Sequence, residues 1–196
     1  MIRPIVAYGT PVLKTKAKEI DQNTKELSAL IEDMWETMYA SNGVGLAAPQ
    51  IGLSIRLFVI DAAPFAADEE LDPKEIEELE AFKRVFINPV LLKEEGEKWD
   101  FNEGCLSIPD VREDVERHEN ITIEFLDENF KPQTLQLEGL CARVVQHEYD
   151  HIEGILFTDH LSPLKKRLLK NKLNAISKGA IHVDYPMKFP NQSKRK

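Results

Sequence analysis

The chain has 196 residues, 42% of them hydrophobic, with a formal net charge of −9. It has no apolar run near the roughly 18 residues needed to cross a bilayer, so it reads as a soluble protein of one domain with a tail. An acidic balance argues against a nucleic-acid binder, which needs clustered Lys and Arg to neutralise phosphates. The N-terminus, MIRPIVAYGT, lacks both the apolar stretch of a secretory signal and the Arg/Ser pattern of a transit peptide, and a cytoplasmic location is expected. Cys105 and Cys141 are then read as single thiols rather than a disulfide.

Taken in chain order, residues 24–40 place Leu27, Leu30, Ile31, Met34 and Met38 at helical spacing, with Asn42-Gly43 as the stop. GVGLAAPQIG, residues 43–52, follows: small residues around one polar side chain, Gln50, ahead of a strand at 55–60. An insertion at about 62–82 has eight acids and one lysine between Asp68 and Glu80, and reads as a solvated surface excursion. Within it, Asp72-Pro73 with Glu75 predicts a capped short helix. Apolar or alternating runs at 85–92, 98–101, 121–126 and 134–137, separated by turn residues, predict a mainly antiparallel sheet system. A second helix covers about 140–153 and ends at Gly154; a third opens at Ser162-Pro163 and stops at Gly179. Residues 181–196 read as an extended or disordered basic tail, with disorder expected from 186 onward, leaving 1–180 as one domain.

Chemistry concentrates in QHEYDHIEG, residues 146–154. His147 and His151 lie four apart and share one helical face, so they can ligate one metal ion, while Glu148 can move a proton on a metal-activated water. The zinc-peptidase pattern HExxHxxGxxH would put its third histidine at position 157, where this chain has Phe157. Glu153 sits too near the helix end, and His160 is displaced by three residues. Upstream, EGCLSIP at 103–109 offers Cys105, and a thiolate with two imidazoles leaves one tetrahedral position open, as in a catalytic site.

GVGLAAPQIG, EGCLSIP and QHEYDH, in that order, resemble the peptide deformylases, and specifically their bacterial type with a C-terminal helix; the similarity extends over most of residues 1–178. The resemblance implies an α+β fold, with mainly antiparallel sheets around a central helix carrying HExxH and with N- and C-terminal helices. It implies removal of the formyl group from the N-terminal formylmethionine of newly made proteins. Cys105, His147 and His151 would bind the metal, Fe2+ physiologically, with Ni2+, Co2+ or Zn2+ as replacements. Glu148 would be the general acid/base, while Gln50 and the backbone N–H of Leu106 would stabilise the oxyanion.

The glycines and alanines around Gln50 would let a substrate backbone come close, pairing with Val44-Gly45 as an added strand. Val44 and Phe101 line the methionine pocket in the family, and Leu140 and Val144 share the stripe of His147. Arg112 is expected to touch the peptide near the mouth. Arg143 departs from the apolar character expected of that stripe. Its guanidinium either reaches solvent, the favoured reading, or contacts substrate carbonyls or an acidic residue. Cys141 reads as an ordinary buried thiol. Lys165, Lys166, Arg167, Lys170 and Lys172 on the third helix suggest either a solvated face or weak, salt-dependent docking on the ribosome. Two rivals are weighed: a zincin-like endopeptidase, disfavoured by Phe157, and a non-catalytic metal-binding scaffold, which has no need of Glu148 or Gln50.

Overall fold

A computed structural model describes residues 1–68 and 70–190. Strand β1 (Ile5–Val6) precedes helix α1 (Leu27–Ala40), which buries Leu27, Ile31, Met34 and Met38 at spacings of four and three. Each such side chain contributes about 1.5–3 kcal/mol relative to exposure. The helix starts three residues later than its periodicity predicts, because Glu26 takes φ 65° and Leu27 is the first helical residue. Strands β2 (Gly45–Ala47) and β3 (Leu57–Asp61) follow, then α2 (Pro73–Ala81), capped as expected by Asp72, whose carboxylate accepts from the Lys74 and Glu75 N–H groups.

The long hairpin of β4 (Lys83–Cys105) and β5 (Ile108–Leu126) replaces several short strands expected between 85 and 126. Asn88-Pro89 and Gly96 do not end the strand; they sit at register shifts within it, with φ 50° at Asn88 and 81° at Gly96. Asn88 is held there from outside the sheet: its Oδ1 accepts from the Ile20 N–H at 2.7 Å and its Nδ2 donates to the Ile20 carbonyl at 2.8 Å. Strand β6 (Pro132–Glu138) completes a five-stranded sheet in the order β2-β3-β4-β5-β6, antiparallel throughout.

Helix α3 (Gly139–Glu153) lies against this sheet, with Ala142, Val145 and Ile152 packed among Phe58, Phe86, Ile121, Ile123 and Phe125. Ile121, Ile123 and Phe125 alternate along β5 and so point to one side of it. Gly154 closes the helix at φ 75°, the left-handed conformation glycine adopts freely. Helix α4 (Pro163–Ser177) is capped by Ser162, whose hydroxyl accepts from the Lys165 N–H. With α1 to α4 around an antiparallel sheet, the architecture is the α+β class expected.

Two expectations need revision. The insertion is not merely a solvated excursion, because Leu79 is buried in the main core and Phe65 packs against it. The expected tail is not free up to Pro190: β7 (Met187–Lys188) pairs in parallel with β1, and Tyr185 and Phe189 pack on the cores. Residues 191–196 of that tail lie outside the described residues. Among the described residues, no helix is long and apolar enough to cross a membrane.

Candidate active site

Cys105 ends β4, while His147 and His151 occupy adjacent turns of α3. The three ligand atoms lie within 4.8 Å of one another, and His151 Nε2 is 3.3 Å from Cys105 Sγ. His147 Nδ1 donates to Glu103 Oε2 at 2.8 Å, which leaves its other ring nitrogen for coordination, the arrangement that orients histidine ligands in metal centres. One soft thiolate and two imidazoles, on two rigid elements, suit a divalent transition metal. Burial alone would raise the Cys105 thiol, but the neighbouring imidazoles of His151 and His147 outweigh it and lower it to about 5, toward the thiolate a metal needs.

Glu148 follows His147 on α3, is 4% exposed, and keeps Oε2 without a hydrogen-bond partner. An unpartnered buried carboxylate oxygen beside three converging donors is consistent with an occupied metal and water site. Burial pushes the Glu148 carboxyl up to about 7.

Two glycines of GVGLAAPQIG, Gly43 and Gly45, have a further reason beyond the expected approach of a substrate. A Cβ on Gly43 would come within 2.8 Å of Leu106 Cδ1, and one on Gly45 within 2.7 Å of Glu148 Cδ. The small wall makes room for the chain's own site residues. Gln50 is held in a short 3₁₀ turn, Ala48–Ile51, and is 1% exposed. Its Oε1 accepts from the Ala47 N–H at 2.8 Å, which fixes the amide orientation and sends Nε2 toward Cys105 Sγ at 3.4 Å. Strand β2 is an edge of its sheet.

These groups open into a cavity of about 540 Å³, whose lining includes Val44, Gly45, Phe101, Arg112 and Val144. Phe65 of the insertion also lines it, edge-on to Phe101 with ring centroids 6.2 Å apart. Arg112 is anchored at the mouth by Asn102, with Nε donating to Oδ1 at 2.9 Å. Leu140 is not brought here and lines a second, smaller cavity with Glu75, Glu78 and Cys141. Cys141 is buried as expected, and burial pushes its thiol up to about 11.

Arg143 overturns the favoured expectation that its guanidinium reaches solvent, since it is 2% exposed. Nη1 donates to Glu103 Oε1 at 3.1 Å and to the Val115 carbonyl at 3.0 Å, Nη2 donates to the Trp99 carbonyl at 2.6 Å, and the guanidinium stacks 4.3 Å from the Trp99 ring. The contact is the acidic partner of the second alternative. Glu103 also takes two bonds from Arg117, at 2.7 and 3.1 Å, and Arg117 reaches Asp150 at 2.7 Å. Burial would raise the Glu103 carboxyl, yet His147 and Arg117 hold it well below the usual carboxylate range. The sequence reading passed over Glu103, although its signal was present: an acid two residues before a ligand cysteine on a strand.

Downstream, Phe157 is buried and stacks on His147, and His160 Nε2 bonds Asp150 at 2.8 Å. Glu153 pairs with Arg56 and Lys16. The third donor therefore comes from β4, upstream in sequence, and the pattern of a downstream third histidine does not apply.

A helix bearing two imidazoles and a buried carboxylate, completed by a strand thiolate, places this molecule among the metal-dependent hydrolases. Residues 2–167 match the family described as Polypeptide deformylase. The chain is 62% identical over 194 residues to the peptide deformylase of Christiangramia forsetii, covering 99% of each, and 56% identical over 189 residues to that of Flavobacterium psychrophilum, covering 96% of this chain and 97% of the relative. Among solved structures it resembles the peptide deformylase of Thermus thermophilus, with a TM-score of 0.76 at 41% identity over 90% of this chain and 98% of that one. The Legionella pneumophila enzyme gives a TM-score of 0.75 at 40% identity, covering 89% and 94%. The chain belongs to the polypeptide deformylase family.

Proposed function

We propose that this protein hydrolyses the formyl amide of N-terminal formylmethionine in newly made proteins, releasing formate and a free methionyl amine. The observation that supports this most directly is the convergence of Cys105, His147, Glu148 and Gln50 on one cavity beside the edge strand β2, with His151 Nε2 3.3 Å from Cys105 Sγ as the remaining donor. We take residues 1–180, together with the following segment to Pro190 that pairs with β1 and packs on the cores, as the catalytic domain, and the cytoplasm, where such chains are made, as its location.

Cys105, His147 and His151 are the residues that would hold the metal, for which we propose Fe2+, with Ni2+, Co2+ or Zn2+ as replacements. When bound, the ion supplies Lewis acidity at the attacking water and the formyl carbonyl. Glu148 takes the proton of the attacking water and delivers it to the departing amine nitrogen as the formyl C–N bond breaks. Gln50 Nε2 and the Leu106 N–H donate to the oxyanion; Gln50 is pre-aimed because Ala47 holds its oxygen. An extended peptide adds to the edge of β2 through Val44 and Gly45, and the methionine side chain enters the apolar part of the cavity near Phe101 and Val144. The test is formate release from a formyl-Met peptide by anaerobically prepared Fe2+- or Ni2+-loaded protein; metal uptake without formate release would favour the scaffold reading.

Gly45→Ala puts a methyl where the Glu148 side chain lies, so a modest change in chain volume displaces the proton carrier. A loss of about 100-fold in kcat is expected, on the scale of a catalytic group misplaced by 1 Å. Formate release within two-fold of the parent would show that Glu148 tolerates the shift.

Weak ribosome contact through α4 we retain as a proposal with a narrower base. Lys165 pairs with Glu113, while Lys166 and Lys172 donate to the Asp159 and Asp110 carbonyls, so the contact would rest on Arg167 and Lys170. Reversing both charges should reduce cosedimentation with ribosomes at low salt; equal cosedimentation would remove the idea.

A further inference from the structure

The turn carrying Leu106 is tied to both ends of the chain. Cys105 and Ile108 are paired across the hairpin, so Leu106 and Ser107 form a two-residue connection. Neither residue has positive φ, whereas two-residue hairpins that match strand twist by themselves need it at the first position or at both. The turn's two carbonyls accept from outside the hairpin. Ser107 O accepts from the Tyr8 N–H at 2.8 Å, and Leu106 O accepts from the Tyr185 hydroxyl at 2.8 Å.

Those donors belong to segments that are themselves joined. The Ile5 and Ala7 N–H groups each donate at 2.9 Å, to the Pro186 and Lys188 carbonyls respectively, along the β1-β7 pairing. Tyr185 is half-buried beside Leu106 and Met187, and residues 182–185 line the mouth of the cavity. This segment lies beyond residue 167, where the family match ends.

We propose that Tyr185 is a positioning residue for the reaction. With its hydroxyl on the Leu106 carbonyl, the C-terminal segment fixes the backbone of Leu106 and so aims the Leu106 N–H at the oxyanion. The inference rests on the deformylase reading and adds to it a role for a part of the chain outside the family match. A donor free to rotate stabilises the developing charge less well than a fixed one, and the substrate's ground state gains little from it. The effect should therefore appear in kcat rather than KM.

Tyr185→Phe keeps the packing and removes only the hydroxyl. Expected are a fall in kcat of about 10-fold, part of the 10²–10³ that loss of a whole oxyanion donor costs, and a KM within roughly two-fold of the parent. The melting temperature should hold, and hydrogen exchange measured by NMR should quicken at the Leu106 amide and not across the core. Unchanged kcat with unchanged Leu106 exchange would overturn the proposal. So would a fall in kcat accompanied by a lower melting temperature and faster exchange throughout the core, which marks a structural role. A parent protein that releases no formate would sink the deformylase reading instead, and the exchange comparison at Leu106 would then still decide whether Tyr185 holds the turn.

Discussion

Glu148→Ala should abolish most formate release while leaving the fold at least as stable. General acid–base groups contribute about 10²–10⁴ in rate, and a loss near the upper end is expected because in the proposed mechanism Glu148 serves both the attacking water and the leaving amine. The stability expectation runs the other way for a physical reason. Glu148 is 4% exposed, and burial pushes its carboxyl up to about 7, so its desolvation costs free energy in the folded state. Removing it relieves that cost and leaves Cys105, His147 and His151 in place. Formate release from a formyl-Met peptide by the Ni2+-loaded variant, with a thermal melt and a metal titration alongside, checks all three parts. Turnover within ten-fold of the parent would remove Glu148 from the chemistry.

Glu103→Gln should do the opposite to stability. Glu103 is the common acceptor for Arg117, Arg143 and His147, all of them buried or nearly so. A neutral amide keeps the shape and loses the charge, leaving two arginines with less compensation; breaking a buried pair in this way costs about 3–5 kcal/mol. For a domain of this size, at about 2–4 °C per kcal/mol, that is a fall of roughly 6–20 °C in Tm. The amide also offers a weaker acceptor to His147 Nδ1, and outer partners of this kind are worth about 10–100-fold in metal affinity or activity. Glu103→Gln therefore lowers Tm and metal affinity together, while Glu148→Ala lowers neither. A Tm within 2 °C of the parent would mean that Arg117, through Asp150, carries the network alone.

The helices and, apart from the start of α1, their ends were legible in the chain. Leu27, Ile31, Met34 and Met38 repeat at the spacing that buries one helical face, Asp72 and Ser162 announce N-caps, and Gly154 supplies the left-handed stop. The candidate metal donors on α3 were legible for the same reason, since i and i+4 on a helix share a face whatever the rest of the molecule does. Strand boundaries were not. Gly96 reads as a break between the runs 85–92 and 98–101 because local sequence carries its turn preference, whereas the β5 ladder that keeps β4 continuous, and the bonds to Ile20 that hold Asn88 at its bulge, come from residues far along the chain.

By itself the sequence determined the helices, the pair of imidazoles with the intervening carboxylate, and the motif order that marks the family, because each is a property of neighbours within a turn or two. Only the tertiary structure decided that Arg143 is a buried partner of Glu103, that Gly43 and Gly45 clear space for Leu106 and Glu148, and that the C-terminal segment returns to hold the turn at Leu106. The reason is common to all three. The energy of a buried charge, a steric gap or a long-range hydrogen bond depends on partners separated here by 40 to 103 residues, as between Glu103 and Arg143, Gly43 and Leu106, Gly45 and Glu148, and Leu106 and Tyr185, and no local period encodes which partner will be met.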